Sequence, residues 1–396
     1  MASWLAAAGA FVVSLDSMMN IAFPSIAAGL GVPAESMRWV IICYVGVYAV
    51  TAFAGGAVAD LVGHLRVFRV GIALSALALL AGGLSGSLGE MLVARALQGV
   101  AGGLVYGTAP GIVSLAAAPD ARGRALGRLS AAIALGLALG PLVAGVLVDL
   151  FGWRTVFHAR TPLAAVVFLG SLGVSAGSLS GAASRGARRL VGLGDLRRAP
   201  VPLICALAFL ANAAIFSIWL LGGFYLIDRR GFSAGVAGAI FMLTPLGTSI
   251  AAPLAGRIAD RLGAATPLVA GLALQTLGLG GLAAADVATP VALVALALFT
   301  AGVGLGVFQV PMMALVMAAF PSALQGAAGG LTFLARTLGT VTGVSILAAL
   351  FAARRATAGF DRAFHEAFLV ATSFVAVAAV TALLGARRFP RAGARP

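Results

Sequence analysis

The sequence contains no lysine, only two cysteines and only three histidines. It therefore has no Gly-x-x-x-x-Gly-Lys phosphate loop, which excludes the nucleotide-hydrolysing proteins that depend on one. Cys43 and Cys205 lie inside apolar stretches, and His64, His158 and His365 lie near the ends of such stretches. These positions predict neither a disulfide framework nor a metal site. Charged residues make up 10% of the chain, against about 25% in a soluble domain, which excludes a soluble globular fold.

Long apolar stretches dominate instead. The chain is 61% hydrophobic and its mean hydropathy is +1.07. About twelve stretches are long enough to cross ~30 Å of hydrocarbon. The predicted spans are 4–28, 38–59, 68–88, 91–115, 127–150, 161–180, 201–227, 235–258, 266–285, 290–319, 326–352 and 364–385. The sequence thus predicts an all-α polytopic membrane protein with the lipid bilayer as a partner.

The chain also repeats itself at an offset of 256 − 56 = 200 positions. Residues 56–63 and 256–263 both read Gly-x-x-Ala-Asp-x-x-Gly. At the similar offset of 338 − 135 = 203, residues 135–140 and 338–343 both read Leu-Gly-x-x-x-Gly. Two parallel halves in an apolar chain are the plan of a secondary transporter.

A stretch rich in Gly, Ser, Ala and Arg separates the two halves. We expect an N-terminal six-helix bundle at 1–180, a cytoplasmic linker at 181–200, a C-terminal six-helix bundle at 201–386 and a cytoplasmic tail at 387–396.

The arginines divide unevenly between the predicted loops. Arg95 and Arg336 fall inside spans, which leaves 26 − 2 = 24 arginines outside them. Sixteen of these lie on the side of both termini, and eight, including Arg160, lie on the opposite side. This bias predicts a multi-pass protein of the plasma (inner) membrane with both termini in the cytoplasm. The net charge of +14 is then a topology signal, so we expect no nucleic-acid partner. The first apolar run lacks a basic n-region and a cleavage site, which indicates a retained helix rather than a signal peptide.

Asp16 and Arg95 are ionisable side chains at mid-membrane depth in the first and fourth predicted spans. A charged group there costs a few kcal/mol, so Asp16 predicts coupling to protons or substrate. Asn20 lies one turn from Asp16, and Arg95 shares a helix face with Tyr106, with Gln98 alongside. The alternatives are an acid held permanently ionised by an arginine pair and a structural clamp within the N-terminal half.

Polar and aromatic side chains on the seventh, tenth and eleventh spans complete a predicted substrate cavity, although stripes of this kind also arise from ordinary packing. The predicted lining residues are Asn20, Gln98, Tyr106, Asn212, Phe216, Trp219, Gln309, Met312 and Arg336. Hydrogen bonding between helices explains the presence of Arg336 inside a span about as well as a role in the cavity does. One acid, Asp16, against two bases, Arg95 and Arg336, predicts that neutral and monocationic lipophilic compounds are carried best and dications poorly. Amphipathic anions are a further possibility if Arg336 faces the cavity.

The repeated motif places a carboxylate at the end of an apolar run in each half. Such a carboxylate can meet a neighbouring helix N-terminus and arginines, for about 1 kcal/mol, and so latch one conformation. The alternative is a solvated loop acid. The predicted gating residues are Gly56, Asp60, Gly63, Arg66, Gly256, Asp260, Arg261 and Gly263.

Gly136, Gly140, Pro141 and Gly145 follow one another at small-residue spacing on the fifth span. Glycine permits close helix approach and proline removes a backbone hydrogen bond. This predicts a hinge or a seal against leak, with a packing surface as the alternative.

These motifs occur in an order that resembles the major facilitator superfamily, and more narrowly its drug:proton antiporters of the EmrB/QacA kind. The resemblance rests on residues 15–24, on Arg38-Trp39-Val40, on the loop motif of residues 56–66, on Arg95-x-x-Gln98-Gly99, on the glycine motif of residues 136–145 and on Gly152-Trp153-Arg154-x-x-Phe157. The sequence departs from the family at Leu61, His64 and Leu65, where basic residues are usual, and at Arg160, where relatives often carry Asn. Many relatives also have fourteen helices rather than twelve.

The resemblance implies a proton-coupled exporter of lipophilic small molecules that works by alternating access, as a monomer and without cofactor or metal. In it, Arg95 lines the central cavity and tunes a proton-binding acid, residues 136–145 form an antiporter motif, and Asp60 favours the state closed to the cytoplasm. The competing interpretations are a uniporter or importer of a metabolite and a membrane receptor or scaffold that transports nothing.

Overall fold

The computed structural model describes residues 2–118, 121–174, 201–320 and 325–385. Over these residues all regular secondary structure is helical, with no strand. The α-helices are α1 (Ala2–Ser14), α2 (Met18–Leu30), α3 (Met37–Val62), α4 (His64–Leu84), α5 (Leu88–Ala116), α6 (Arg122–Phe151), α7 (Thr155–His158), α8 (Arg160–Leu172), α9 (Val201–Phe224), α10 (Ala234–Phe241), α11 (Leu243–Leu262), α12 (Ala265–Ala283), α13 (Val291–Ala319) and α14 (Gln325–Gly385). The predicted all-α fold is confirmed.

Eleven segments of the described chain are long and apolar enough to cross a membrane, against about twelve predicted spans. The difference arises in α14. Its apolar segment Leu331–Gly385 has 55 residues, roughly twice the ~30 residues or fewer that one crossing needs. Gly359 interrupts this helix with φ 79° and ψ 177°. The predicted spans 326–352 and 364–385 lie on either side of Gly359, so α14 contains both of them.

The described residues form two compact units. The first consists of the described part of Met1–Arg185 together with Gly231–Met242, and the second of the described part of Gly186–Arg230 together with Leu243–Pro396. The segment Gly231–Met242, which the sequence assigns to the C-terminal bundle, therefore packs with the N-terminal helices. It contains α10, the first part of the eighth membrane span.

Each unit repeats the same packing of three helices. In the first unit α5 packs on α3 and α4, and in the second α13 packs on α11 and α12. Glycines permit the close approach, because a Cβ on Gly107 would lie 2.6 Å from the carbonyl oxygen of Ala52 and one on Gly306 would lie 2.5 Å from that of Thr248. The sequence repeat thus extends to matching backbone contacts within each unit.

The repeated motif ends a helix in the same way in each unit. α3 ends before Gly63, with φ 101°, and α11 ends before Gly263, with φ 83°. The N–H of Gly63 donates to the carbonyl of Ala59 at 2.8 Å, and the N–H of Gly263 to that of Ala259 at 2.9 Å. Positive φ is the reason that both copies require glycine at this position.

Candidate functional site

The first membrane span narrows to a 3-10 turn where it carries its acid. Between α1 and α2 the chain forms one 3-10 turn, Leu15–Ser17, which contains Asp16. Such a turn tightens the helix and marks a functional or strained position. Asp16 keeps 14% of its side chain exposed, within a span that is otherwise largely buried.

Two arginines and a glutamine hold the Asp16 carboxylate. Arg95 binds it through both oxygens, with Nη1 at 2.6 Å from Oδ1 and Nη2 at 2.9 Å from Oδ2. Gln98 donates from Nε2 to Oδ1 at 2.9 Å and accepts from Arg95 Nη1 at 2.8 Å. Arg160 donates from Nη1 to Oδ1 at 3.3 Å. Such bidentate, charge-assisted bonds are the strong ones and fix the geometry of the group.

Arg95 is held in place by groups on α3 as well. Its Nε donates to the carbonyl of Val40 at 3.3 Å, and its guanidinium lies 4.1 Å from the ring centre of Tyr44. A guanidinium over an aromatic face gains further electrostatic stabilisation. Arg95 is therefore fully engaged in this conformation, which the sequence predicted only in part.

The position of Arg160 corrects the sequence analysis. Counting charges by loop placed Arg160 in water on the side opposite the termini, but it is the first residue of α8 and only 1% exposed. Arginine can extend its long stem along apolar surface and deliver its charge some distance from its own backbone. Assigning charges by loop uses only the position of each residue along the chain. It does not show where a long side chain ends, and for this reason it misassigned Arg160.

The cluster of Asp16, Arg95 and Arg160 therefore carries one negative and two positive charges. Among the described residues, Asp16 is the one carboxylate that forms a salt bridge with either arginine. An arginine remains charged under all ordinary conditions, so the cluster has a net charge of +1 when Asp16 is ionised. The sequence-based count of one acid and two bases omitted Arg160.

A row of tyrosines adjoins this cluster. The ring of Tyr48 stacks on Tyr44 with centres 5.9 Å apart and meets Tyr106 edge to face at 5.6 Å. The hydroxyls of Tyr106 and Ser14 lie 2.5 Å apart. Sequence analysis selected Tyr106 but missed Tyr44 and Tyr48 as site residues. The available signal was that three of only four tyrosines fall in the second and fourth spans.

Of the remaining predicted lining residues, Asn20 belongs to the first unit and the others belong to the second. Asn20 donates to the carbonyl of Ser17 at 3.2 Å. In the second unit, Asn212 is buried and donates to the carbonyl of Ala208 at 2.8 Å, and Met312 is fully buried. The half-buried members of the predicted set are Phe216, Trp219, Gln309 and Arg336. Their role in a cavity stays a prediction.

The predicted gating residues lie at helix ends of each unit. Gly56 and Gly256 are half-buried, whereas Asp260 and Arg261 are exposed. The side chain of Asp60 lies outside what the structure describes, so its role as a latch stays a prediction. Arg69, counted with the loop arginines, instead donates to the carbonyls of Ser171 and Val174 at 2.6 and 2.7 Å, which caps the C-terminal end of α8.

The glycine motif of α6 contacts two different elements. Toward the first span, Ser17 donates to the carbonyl of Gly136 at 3.3 Å, and a Cβ on Gly140 would overlap the Ser17 hydroxyl. Toward α10, a Cβ on Gly145 would overlap the carbonyl of Ala234. The predicted motif residues Gly136, Gly140, Pro141 and Gly145 thus join the segment carrying Asp16 to α10.

Asp149, which sequence analysis did not select, fastens the start of α10. Its Oδ1 accepts the backbone N–H of Ala234 at 2.8 Å and its Oδ2 that of Gly235 at 2.7 Å. The first N–H groups of a helix lack internal partners and favour negative charge. The sequence showed only that an acid lies one turn beyond Gly145. It did not indicate the partners of this acid, which are 85 and 86 residues away.

Comparison with known proteins identifies the family. The profile of the Major Facilitator Superfamily matches residues 5–344, and the chain belongs to this superfamily of membrane transporters. It is therefore a multi-pass membrane transporter of a small-molecule substrate, and not an enzyme.

Several relatives are similar over most of the chain. Multidrug resistance protein Stp of Mycobacterium tuberculosis is 28% identical over 87% of this chain and 74% of its own. Riboflavin transporter RibZ of Clostridioides difficile is 26% identical over 87% and 86%. The tetracenomycin C resistance and export protein of Streptomyces glaucescens is 28% identical over 88% and 75%. A crystal structure of the nucleoside transporter NupG has the same fold, with a TM-score of 0.79 over 97% of this chain and 99% of that chain, at 15% identity.

Proposed function

We propose that the chain is a proton-coupled antiporter that exports lipophilic small molecules, such as drugs or antibiotics, by alternating access. The observation that carries the proposal is the Asp16 carboxylate, which lies in the 3-10 turn of the first span, between Arg95, Gln98 and Arg160. A carboxylate within the bilayer that is matched by buried cations is typical of proton and substrate pathways. The names of two relatives, Stp and the tetracenomycin C exporter, support a role for this chain in drug resistance and export.

The donors around Asp16 link its charge to the arrangement of the helices. Protonation of Asp16 would remove the counter-charge from two buried guanidinium groups, and a buried charge without its partner is strongly unfavourable. Proton binding therefore favours a conformation in which α5 or α8 moves relative to the first span. A ligand that binds the ionised form better than the protonated form would then be exchanged for protons.

The proposal includes the setting of the protein. We place it as a monomer in the plasma membrane with both termini in the cytoplasm, because arginines are concentrated on that side. Asp60 acts as the cytoplasmic latch and residues 136–145 as the antiporter motif in this scheme.

The test is transport by the purified protein in liposomes that contain a pH-sensitive dye. An imposed gradient of chloramphenicol, a neutral lipophilic antibiotic, should drive protons in the opposite direction. Transport of chloramphenicol without proton movement, or with protons moving alongside it, would contradict antiport. Liposomes without protein give the background leak.

A second candidate is a uniporter or importer of a metabolite, and the relative named as a riboflavin transporter favours it. The same liposomes distinguish the two. Uptake of riboflavin that exceeds chloramphenicol transport and moves no protons would select the second candidate.

A further inference from the structure

Arg160 brings to the Asp16 cluster both a surplus charge and an unused hydrogen-bond donor. The guanidinium is buried and touches Asp16 through one nitrogen only, Nη1 at 3.3 Å, whereas Arg95 binds both carboxylate oxygens. The Nε–H of Arg160 is also buried, and it has no acceptor among the described residues. A buried donor left unpaired is unfavourable. We therefore expect another molecule to supply a hydrogen-bond acceptor for this nitrogen.

We propose that Arg160 determines substrate specificity: it selects neutral lipophilic compounds that present a carbonyl-type acceptor oxygen, and it rejects cations. This inference rests on the proposed function, because it assigns the substrate class of the same site. In this conformation Nε is shielded, so the acceptor reaches it when the side chains next to Nε move aside while Arg160 keeps its bond to the ionised Asp16.

Cations are rejected because of the charge balance. With Asp16 ionised, the cluster carries +1, and a cation approaching Asp16 also approaches two guanidinium groups. In a site of low dielectric, this repulsion acts over several ångströms. The sequence-based expectation that monocations are good substrates is therefore replaced by a preference for neutral compounds.

Anions are disfavoured for a different reason. A substrate carboxylate at Arg160 would lie beside the Asp16 carboxylate and compete with it for the same guanidinium. By linkage, its binding would favour protonation of Asp16, so substrate and proton would bind together, contrary to exchange. A neutral carbonyl satisfies the free Nε–H without displacing Asp16.

The same geometry links selection to exchange. The ionised Asp16 holds Arg160 in position, so the donor is oriented for substrate only while Asp16 is unprotonated. Substrate binding then favours loss of the proton, and the reciprocal effect follows by necessity. Arg160 acts here by binding the substrate, while Asp16 orients it.

The test uses four fluorescent probes that share one apolar ring system: 1-acetylpyrene, 1-ethylpyrene, 1-pyrenemethylammonium and 1-pyrenecarboxylate. Binding is measured to the purified full-length protein in nanodiscs. We expect 1-acetylpyrene to bind about tenfold more tightly than 1-ethylpyrene, and more tightly than either charged probe.

Two variants separate the donor from the charge. Arg160→Lys keeps the charge but has no donor at the position of Nε, and we expect Asp16 to engage its terminal ammonium group. The variant should therefore lose the preference for the ketone over the hydrocarbon yet still reject the ammonium probe. Arg160→Gln removes the charge, so binding of the ammonium probe should improve about tenfold. Arg154→Gln is the matched control, because Arg154 is an exposed arginine near the same helix that donates to the carbonyl of Ser85, and it should leave all four affinities unchanged.

Equal binding of ketone and hydrocarbon by the wild-type protein would overturn the proposal, as would tightest binding of the carboxylate or ammonium probe. Unchanged selectivity in both folded Arg160 variants would overturn it as well. The two proposals can fail independently. If the protein moves no protons in liposomes but still binds the ketone selectively in nanodiscs, the proposed function is wrong and the substrate preference stands.

Discussion

The carboxylate of Asp149 accepts the backbone N–H of Ala234 at 2.8 Å, and so ties the end of α6 to the start of α10. Its second oxygen accepts the N–H of Gly235 at 2.7 Å. The membrane span that contains α10 continues into α11, which belongs to the other compact unit. The contact therefore holds one end of the eighth span to the N-terminal helices.

Removing this contact should release α10. Asp149→Ala deletes two charge-assisted hydrogen bonds, which we expect to weaken docking by about 1–3 kcal/mol. Ala237 is fully buried on α10, so labelling of a cysteine placed there reports the release, and its rate should rise at least fivefold. Ser233→Ala is the matched control. It removes the N-cap of α10, in which the N–H of Val236 donates to Ser233 Oγ, and it leaves the hydrogen bonds from α10 to Asp149 intact. Equal labelling in both variants would show that Asp149 does not hold α10.

Neutralising Asp16 should separate binding from coupling. Asp16→Asn keeps the size of the side chain and removes the charge that Arg95 and Arg160 balance. We expect the variant to fold and to lose gradient-driven export, with substrate-induced proton flux reduced to the background of empty liposomes. Asp361→Asn is the control, because Asp361 is an exposed acid paired with Arg229, and it should retain the flux. Substrate-driven acidification that persists in Asp16→Asn would rule out Asp16 as the coupling group.

Close packing of α6 should be intolerant of one added methyl group. A Cβ on Gly140 would overlap Ser17, and one on Gly145 would overlap the Ala234 carbonyl. We expect Gly140→Ala and Gly145→Ala each to destabilise the protein by about 1–3 kcal/mol, measured as thermal unfolding in detergent. Gly127 lies on the same helix, and a Cβ added there would have no neighbour within 4 Å. Gly127→Ala should therefore be neutral or stabilise by about 0.5–1 kcal/mol, and a loss like that of Gly145→Ala would contradict the packing argument.

The sequence repeat predicts equal effects at equivalent positions. Gly63→Ala and Gly263→Ala each force a side chain into positive φ, 101° and 83°, and each should lower stability by about 1–3 kcal/mol. Gly46 lies inside α3, with open space around it, so Gly46→Ala should not destabilise. Thermal unfolding of the three variants is the measurement, and tolerance of alanine at only one of the two motif glycines would show that the copies have diverged in structural role.

Sequence analysis recovered the features that local chemistry determines. The apolar stretches define the spans, the need for positive φ explains both Gly63 and Gly263, and the solvation of a buried charge singles out Asp16 and Arg95. It failed where a side chain acts far from its own backbone. Arg160 was assigned by the loop that holds its Cα, and Asp149 meets partners 85 and 86 residues away. No periodicity within one helix encodes such contacts, because they depend on how helices pack together.

Gly359 also bears on how the chain enters the membrane. It is the one non-helical residue within α14, so the last two spans are joined by almost no free chain. The exposed residues around this bend include Arg354, Arg355 and Arg362. We therefore expect the two spans to enter the membrane together, as a helical hairpin with these charges at its tip. Glu366 pairs with Arg354 and Arg362, and this pairing within the hairpin would lower the cost of bringing its charged tip into the bilayer.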